Sequence, residues 1–324
     1  MTPRTLPLPS FFDPNLADKL YLPRIDEMIA AAKRFALDHD IKPAIDDKFK
    51  IGMLDIDNQI DFGMSCGGLF VPGAVEDTIR GEEFVARNLA VITRRYFTLD
   101  SHKLFQIFFK LWWEHFQSSD NPADFSLLAA ADTDYQAMFF PRESIAYKKA
   151  LEDTGKFLLQ IWPFHTLMGT PGHAIVPLIF EMATFHSVAR NIEFKLETKG
   201  QHPLTENYSV MSPEVKNVLG KAVGQFNTRF FKALMENDRL YVKGQAKSHC
   251  LKFTIEDLIN QVKAVDAGLL DKLYVIEDCT SPVPAVKAPD GTMIVDFPKI
   301  ADEAFDRFKN EGVHVVQSTD PIIF

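Results

Sequence analysis

The segment KGQAKSHC sets Cys250 where a short strand ends and a helix begins. Exposed N–H groups and the helix dipole at such a start favour thiolate over thiol, lowering the pKa from its free value of about 8.5. Cys250 is therefore the candidate nucleophile, and the reading predicts it to be the thiol that alkylates fastest. Cys66, in SCGG, and Cys279, after LYVIED, have less promising surroundings, and a lone cysteine in an apolar run is ordinarily inert packing. A nucleophile also needs a base, a cation and oxyanion donors. Asp57 opens DNQIDF at the end of a predicted strand. A carboxylate there can take the thiol proton and return it to a leaving amine, or can serve only as a helix N-cap. Lys199, before Gly200 and just beyond another strand, can hold a thiolate by charge, although most lysines in such turns are merely solvated. The backbone N–H groups from Ala246 to Cys250 lie beside the thiol, where an oxyanion would be stabilised. Asp100 and His102 in LDSH point to one side of an extended segment, and WPFH adds His165. One carboxylate and two imidazoles can seat a borderline divalent ion with open positions.

These residues must be carried by something rigid. FKIGMLDID, YFTLD, NIEFKLET, RLYVKG, KLYVIED and GVHVVQ read as six strands. Helical spacing covers Leu16 to Leu37, Val75 to about Arg94, Ser248 to Ala267 and Ile300 to Asn310. Strands alternating with helices predict right-handed crossovers, hence an α/β fold, a three-layer α/β/α sandwich around a mostly parallel six-stranded sheet. Ligands in such sheets bind at the carboxyl ends of strands, and Asp57, Asp100, Lys199 and Ala246 each close or follow one. The stretch LFQIFFKLWWEHF is aromatic almost all round and fits no period. The division expected is an N-terminal helical extension over 1–48 and an α/β domain over 49–324, with an aromatic insert or lid at about 103–160.

Composition narrows the function classes. The chain has 324 residues, is 46% hydrophobic and 24% charged, and carries a formal charge of -9 without a basic patch, which argues against nucleic acid as a partner. No apolar stretch approaches the roughly 20 residues needed to cross a bilayer, and the proline-bearing start MTPRTLPLPSFF does not read as a signal peptide. Three cysteines without close spacing fit a reducing compartment, with the cytoplasm as default. The 28 phenylalanines, many between Leu104 and Phe164, need a buried home, an aromatic pocket or a partner surface, and a homo-oligomer is expected.

Taken in order, the motifs resemble those of the isochorismatase-like cysteine hydrolases, nicotinamidases in particular. Asp57, Gln59, Asp61 and Phe62 match the opening DxQxDF; Asp100 and His102 match Asp-x-His; Trp162, Pro163 and His165 match Trp-Pro-x-His; Lys199–Gly200, and Gly244, Ala246 and Cys250 match the rest. The resemblance covers roughly Ile51 to Gln317. It implies an Asp57–Lys199–Cys250 triad, an oxyanion held by the N–H groups of Ala246 and Cys250, aromatic substrate contacts from Phe62 and Trp162, and a divalent metal (Zn, Fe or Mn) on Asp100, His102 and His165. The implied reaction is hydrolysis of a small amide, nicotinamide to nicotinate and ammonia, through a thioester. The family's further histidine ligand is missing: that region reads LFQIFFK, and His115 is the nearest substitute. Lys247 and His249 would favour thiolate if charged, unless they point outward. Two other readings stay open: a metal-independent amidase acting on another small amide or a ureido or carbamoyl substrate, and a non-catalytic interaction protein using the aromatic insert.

Overall fold

The computed structural model describes residues 5–155, 158–287 and 290–324. The first four residues of the N-terminal arm and residues 156 and 157 of the insert thus lie outside the described residues. Six strands form one sheet: β1 (Ile51–Ile56), β2 (Arg94–Asp100), β3 (Lys195–Lys199), β4 (Arg239–Gly244), β5 (Leu273–Ile276) and β6 (His314–Val316). They lie in the order β6-β5-β4-β1-β2-β3, and every pairing is parallel. Fully parallel sheets need cover on both faces, and β1 is accordingly buried along its whole length.

Seven helices of eight or more residues supply that cover and its surroundings among the described residues: α1 (Ile25–Asp38), α2 (Ala74–Arg87), α3 (Pro141–Asp153), α4 (Pro177–Arg190), α5 (Thr228–Met235), α6 (Cys250–Val265) and α7 (Phe297–Glu311). On one face Met53, Tyr241 and Tyr274 of the strands pack with Phe84 and Val85 of α2 and Met182 of α4. On the other, Leu54, Ile56 and Val242 meet Leu251, Ile255 and Leu258 of α6, Phe305 and Phe308 of α7 and Leu234 of α5. Each such side chain contributes about 1.5–3 kcal/mol by leaving water. The result is the expected three-layer sandwich. No helix among the described residues is long and apolar enough to cross a membrane.

A buried ion cluster ties together the strands that matter most. Arg95 on β2 makes paired hydrogen bonds to Asp55 on β1 (2.9 and 3.0 Å) and to Glu82 on α2 (2.7 and 2.8 Å). Lys243 on β4 reaches both carboxylates, at 2.6 and 3.0 Å. Two cations and two anions cancel, which lets the group sit out of water.

Several boundaries differ from the sequence expectation. The first helix starts at Ile25, not Leu16, because Pro23 biases the residue before it away from helical geometry and Arg24 is non-helical. The helix expected to run to Arg94 stops at Arg87, where the Asn88 amide caps the Phe84 carbonyl, and Arg94 already opens β2. The aromatic stretch forms no long helix. Phe108, Phe109, Trp112 and Trp113 turn inward and build a core with Tyr147 and Leu151 of α3, together with Trp162, Tyr208 and Phe253. Phe108, Phe109, Trp112 and Trp113 are thus spent on internal packing, whereas Phe105, Phe116, Phe125, Phe139 and Phe140 of the same insert stay exposed.

Candidate active site

The strand order reverses between β1 and β4, and this is where a parallel sheet opens a crevice at its carboxyl edge. Asp57 follows β1 and Cys250 follows the loop leaving β4. The parallel register of β2 and β3 pairs Asp100 with Lys199, so both reach the crevice from its other side. The loop after β4 can pass only because Gly244, at φ +123°, has no side chain; a Cβ there would meet the Ile56 carbonyl oxygen at 2.1 Å. Gly200, at φ +81°, likewise leaves room for Asp100 and His102, each 2.7 Å from where its Cβ would be.

Lys199 is the hub. Its Nζ lies 3.0 Å from Asp57 Oδ2, 2.9 Å from Asp100 Oδ1 and 3.7 Å from Cys250 Sγ, and donates to the Asn207 carbonyl at 2.8 Å. Burial would strip its proton, but Asp100 and Asp57 outweigh burial and hold its pKa well above the ordinary value, so the ammonium persists. Burial raises Asp57, with Lys199 opposing and Asp100 adding to the rise. Thr98 Oγ1 donates to Asp57 Oδ1 at 2.5 Å and accepts from its main-chain N–H at 3.0 Å, fixing the carboxyl in place.

The sulfur departs from expectation. Burial pushes the Cys250 thiol well above its usual pKa, and Lys199 only partly offsets this because Asp57 and Asp100 already claim its charge. The two other basic residues near the thiol add nothing. Lys247 points away to Asp302 at 2.8 Å and Glu277 at 3.4 Å. Burial pushes His249 down to about 3, so it is neutral, with its ring against Trp162, Tyr208 and Phe297. At rest the site therefore holds a thiol next to a base, not a standing thiolate. The main-chain N–H groups of Ala246 and Cys250 meet no acceptor among the described residues, which leaves two donors at the start of α6.

The carboxylate and two imidazoles also meet: ligand atoms of Asp100, His102 and His165 all lie within 4.8 Å of one another. Backbone lacing explains the meeting, since the His102 N–H donates to the Thr166 carbonyl and the Met168 N–H to the His102 carbonyl. His102 Nδ1 donates to the Gly200 carbonyl at 3.1 Å, and His165 Nδ1 to the Pro163 carbonyl at 2.7 Å. Each tautomer is thereby set with a bare Nε2 lone pair. Burial lowers the His102 pKa despite Asp100, and its Nε2, 2.9 Å from Asp100 Oδ2, can serve with that oxygen as a pair of ligands to a cation. His115 takes no part: it lies on a short strand paired with Tyr135–Ala137, and the rings of Phe108 and Phe109 stand against His102 instead.

A small pocket with a cavity volume of about 30 Å³ opens over Cys250. Phe62 and Trp162 line it as the sequence suggested, and so do Asp100, His165 and Ala246. Sequence reasoning missed Glu206, Tyr208 and His249 as lining residues, and Thr98 and Asn207 as supports. The stretch TENYS contains three of these, but nothing in its spacing marks which side chains turn inward.

No family profile matches the chain, and no curated protein does. Solved structures do. The chain is similar to the nicotinamidase and pyrazinamidase of Acinetobacter baumanii, with a TM-score of 0.51 at 19% identity, covering 84% of this chain and 97% of that one. It is similar to the yeast nicotinamidase, with a TM-score of 0.51 at 20% identity over 82% of this chain and 99% of that one. The fold is that of the nicotinamidases. The yeast enzyme bound to the inhibitor nicotinaldehyde gives a TM-score of 0.50 at 19% identity, with 82% and 99% covered. The nicotinamidase fold thus spans nearly the whole of each neighbour.

Proposed function

We propose that the protein is a cysteine hydrolase of small carboxamides, with nicotinamide the leading substrate. The observation that carries this reading is Lys199 Nζ standing 3.0 Å from Asp57 and 3.7 Å from Cys250 Sγ below an aromatic pocket. In the reaction, Cys250 Sγ bonds to the amide carbon while its proton passes to Asp57, whose raised pKa suits it to take and return a proton. The carbonyl oxygen becomes an oxyanion facing the Ala246 and Cys250 N–H groups. Asp57 then gives the proton to the nitrogen as the C–N bond breaks, releasing ammonia and leaving a thioester. Water attacks the thioester with Asp57 taking its proton, and the C–S bond breaks to give the carboxylic acid and the thiol. Lys199 keeps its charge throughout and steadies the sulfur as negative charge builds on it.

Asp100, His102 and His165 would hold a divalent ion such as Zn, Fe or Mn. When bound, the ion supplies a Lewis-acidic seat that orients a ring nitrogen. The second reading is a metal-independent amidase on another small amide or on a ureido or carbamoyl substrate. Phe108 and Phe109 packed against His102 favour it, since they fill space where a further ligand would stand. Three unpaired cysteines fit a cytoplasmic setting. The test is ammonia release from nicotinamide by purified protein, with and without chelator. C250A should lose at least about a thousandfold in turnover; turnover that survives C250A excludes the thioester route, and turnover indifferent to chelator favours the second reading.

A further inference from the structure

Ala246 supplies one of the two N–H groups that face the developing oxyanion, and much of what holds its peptide lies outside the pocket. Gln245, the residue before it, is buried and does not line the pocket over Cys250. Its main-chain N–H donates to the Ile56 carbonyl at 2.9 Å. Its side chain is held at both ends: Nε2 donates to Asp77 Oδ2 on α2 at 2.8 Å, and Oε1 accepts from the Ser281 N–H at 3.3 Å. Asp77 is buried too, and its other oxygen accepts from Arg80 at 2.6 Å. Arg80 Nε in turn donates to the Asp278 carbonyl, so one turn of α2 grips both Gln245 and the segment after β5.

That segment runs beside the loop as a rail. The Ser281 carbonyl accepts from the Lys247 N–H at 2.8 Å, and the Val283 N–H donates to Ser248 Oγ at 3.1 Å. Ala246 is therefore flanked by two anchored residues, and Ser281 bonds to both of them. An N–H fixed in advance stabilises an oxyanion without reorganising at the moment of reaction, which a loosely held one cannot do. We propose that Asp77 and Gln245 are positioning residues for the amide hydrolysis: the hydrogen bond between their side chains aims the Ala246 N–H at the oxyanion. This rests on the hydrolase reading and adds to it the part of the fold that sets the oxyanion geometry. Neither residue lines the pocket, so neither bears on how the intact amide is bound. Their effect falls on the transition state, where the carbonyl oxygen gains its charge.

Two readouts on the full chain separate positioning from support of the fold. One is steady-state hydrolysis of nicotinamide. The other is the inhibition constant of nicotinaldehyde, which mimics the attacked amide. Cys250 Sγ bonds to the aldehyde carbon, the C=O π bond opens and the thiol proton passes to Asp57. Nothing leaves, and the oxygen stays facing the two N–H groups. Q245M keeps the bulk and removes both side-chain hydrogen bonds, so it should lower kcat at least about thirtyfold with KM within about threefold. The nicotinaldehyde constant should rise by a similar factor. D77L should do the same, whereas D77N, whose amide oxygen can still accept from Gln245, should stay within about fivefold of the unmodified protein. Q245M combined with D77L should lose at most about threefold beyond Q245M alone, since both break one hydrogen bond. Unchanged kcat in folded Q245M, a loss confined to KM, an unmoved nicotinaldehyde constant, or losses that multiply in the double variant would overturn the proposal. Should D77L or Q245M fail to fold, the other is read against D77N. The hydrolase reading fails separately, if the unmodified protein releases no ammonia from any small amide.

Discussion

The one ammonium beside Cys250, that of Lys199, is itself shared by the carboxyls of Asp57 and Asp100, so the local charge is not positive enough to hold a resting thiolate against burial. That balance changes what a simple labelling experiment should show. Cys66 is exposed, whereas Cys250 and Cys279 are buried, and burial raises both of their thiols. Iodoacetamide near neutral pH should therefore modify Cys66 first, by at least about tenfold over either of the others, followed by peptide mass spectrometry. Faster modification of Cys250 would mean that Lys199 does hold a thiolate at rest, against both burial and the two carboxylates. The convergence of Asp57, Lys199 and Cys250 was legible in the sequence because each ends a recognisable strand or starts a helix. The protonation state was not, because it depends on Asp100 competing for the same ammonium. Thr98 and Asn207 were illegible for a related reason: one acts through a hydroxyl and the other through a carbonyl, and neither leaves a mark in spacing.

At the scale of elements, strands were read well where burial is continuous and helices less well at their ends. The run Arg239–Gly244 forms β4 with the bounds its sequence suggested, since apolar residues flanked by polar ones leave little choice. The aromatic stretch after His102 defeated a periodic reading because its rings answer to a local core and not to one helix face. What the elements must achieve is the approach of β1 to the loop leaving β4, and Gly244 is where they touch. Gly244→Ala would place a methyl 2.1 Å from the Ile56 oxygen at a φ of +123°, so the strand ends must part. We expect a loss of about 1–3 kcal/mol in unfolding free energy from the strained backbone. We also expect a fall of about a hundredfold in amide turnover, because Cys250 would shift relative to Asp57. Denaturant titration and steady-state kinetics check the two parts. Full activity in a folded G244A would show that the close approach of these strands does not position the sulfur.

Across the whole molecule, the sandwich buries ionisable groups far from the pocket as well as in it, and these govern its response to acid. His186 on α4 is fully buried; its Nε2 donates to the Ile92 carbonyl at 2.9 Å, and its Nδ1 has no hydrogen-bond partner among the described residues. Burial pushes its pKa down to about 3, with Arg95 and Arg190 contributing in the same direction. The unfolded chain would titrate it near 6.5, so between these values the unfolded state binds the extra proton and gains stability. The histidine's contribution to folding is thus intact above about pH 6.5 and is lost progressively as pH falls toward 3. His249, also near 3, acts with the same sign, while carboxyls raised by burial, such as Asp77, act with the opposite one. A single substitution isolates the effect. His186→Gln keeps an amide donor for Ile92 and cannot titrate, so between pH 7 and pH 5 the unmodified protein should lose about 2 kcal/mol more unfolding free energy than H186Q. Urea unfolding at the two pH values measures this difference directly. Parallel losses in the two proteins would mean that His186 takes up its proton in the folded state as readily as in the unfolded one, with water reaching it inside the sandwich.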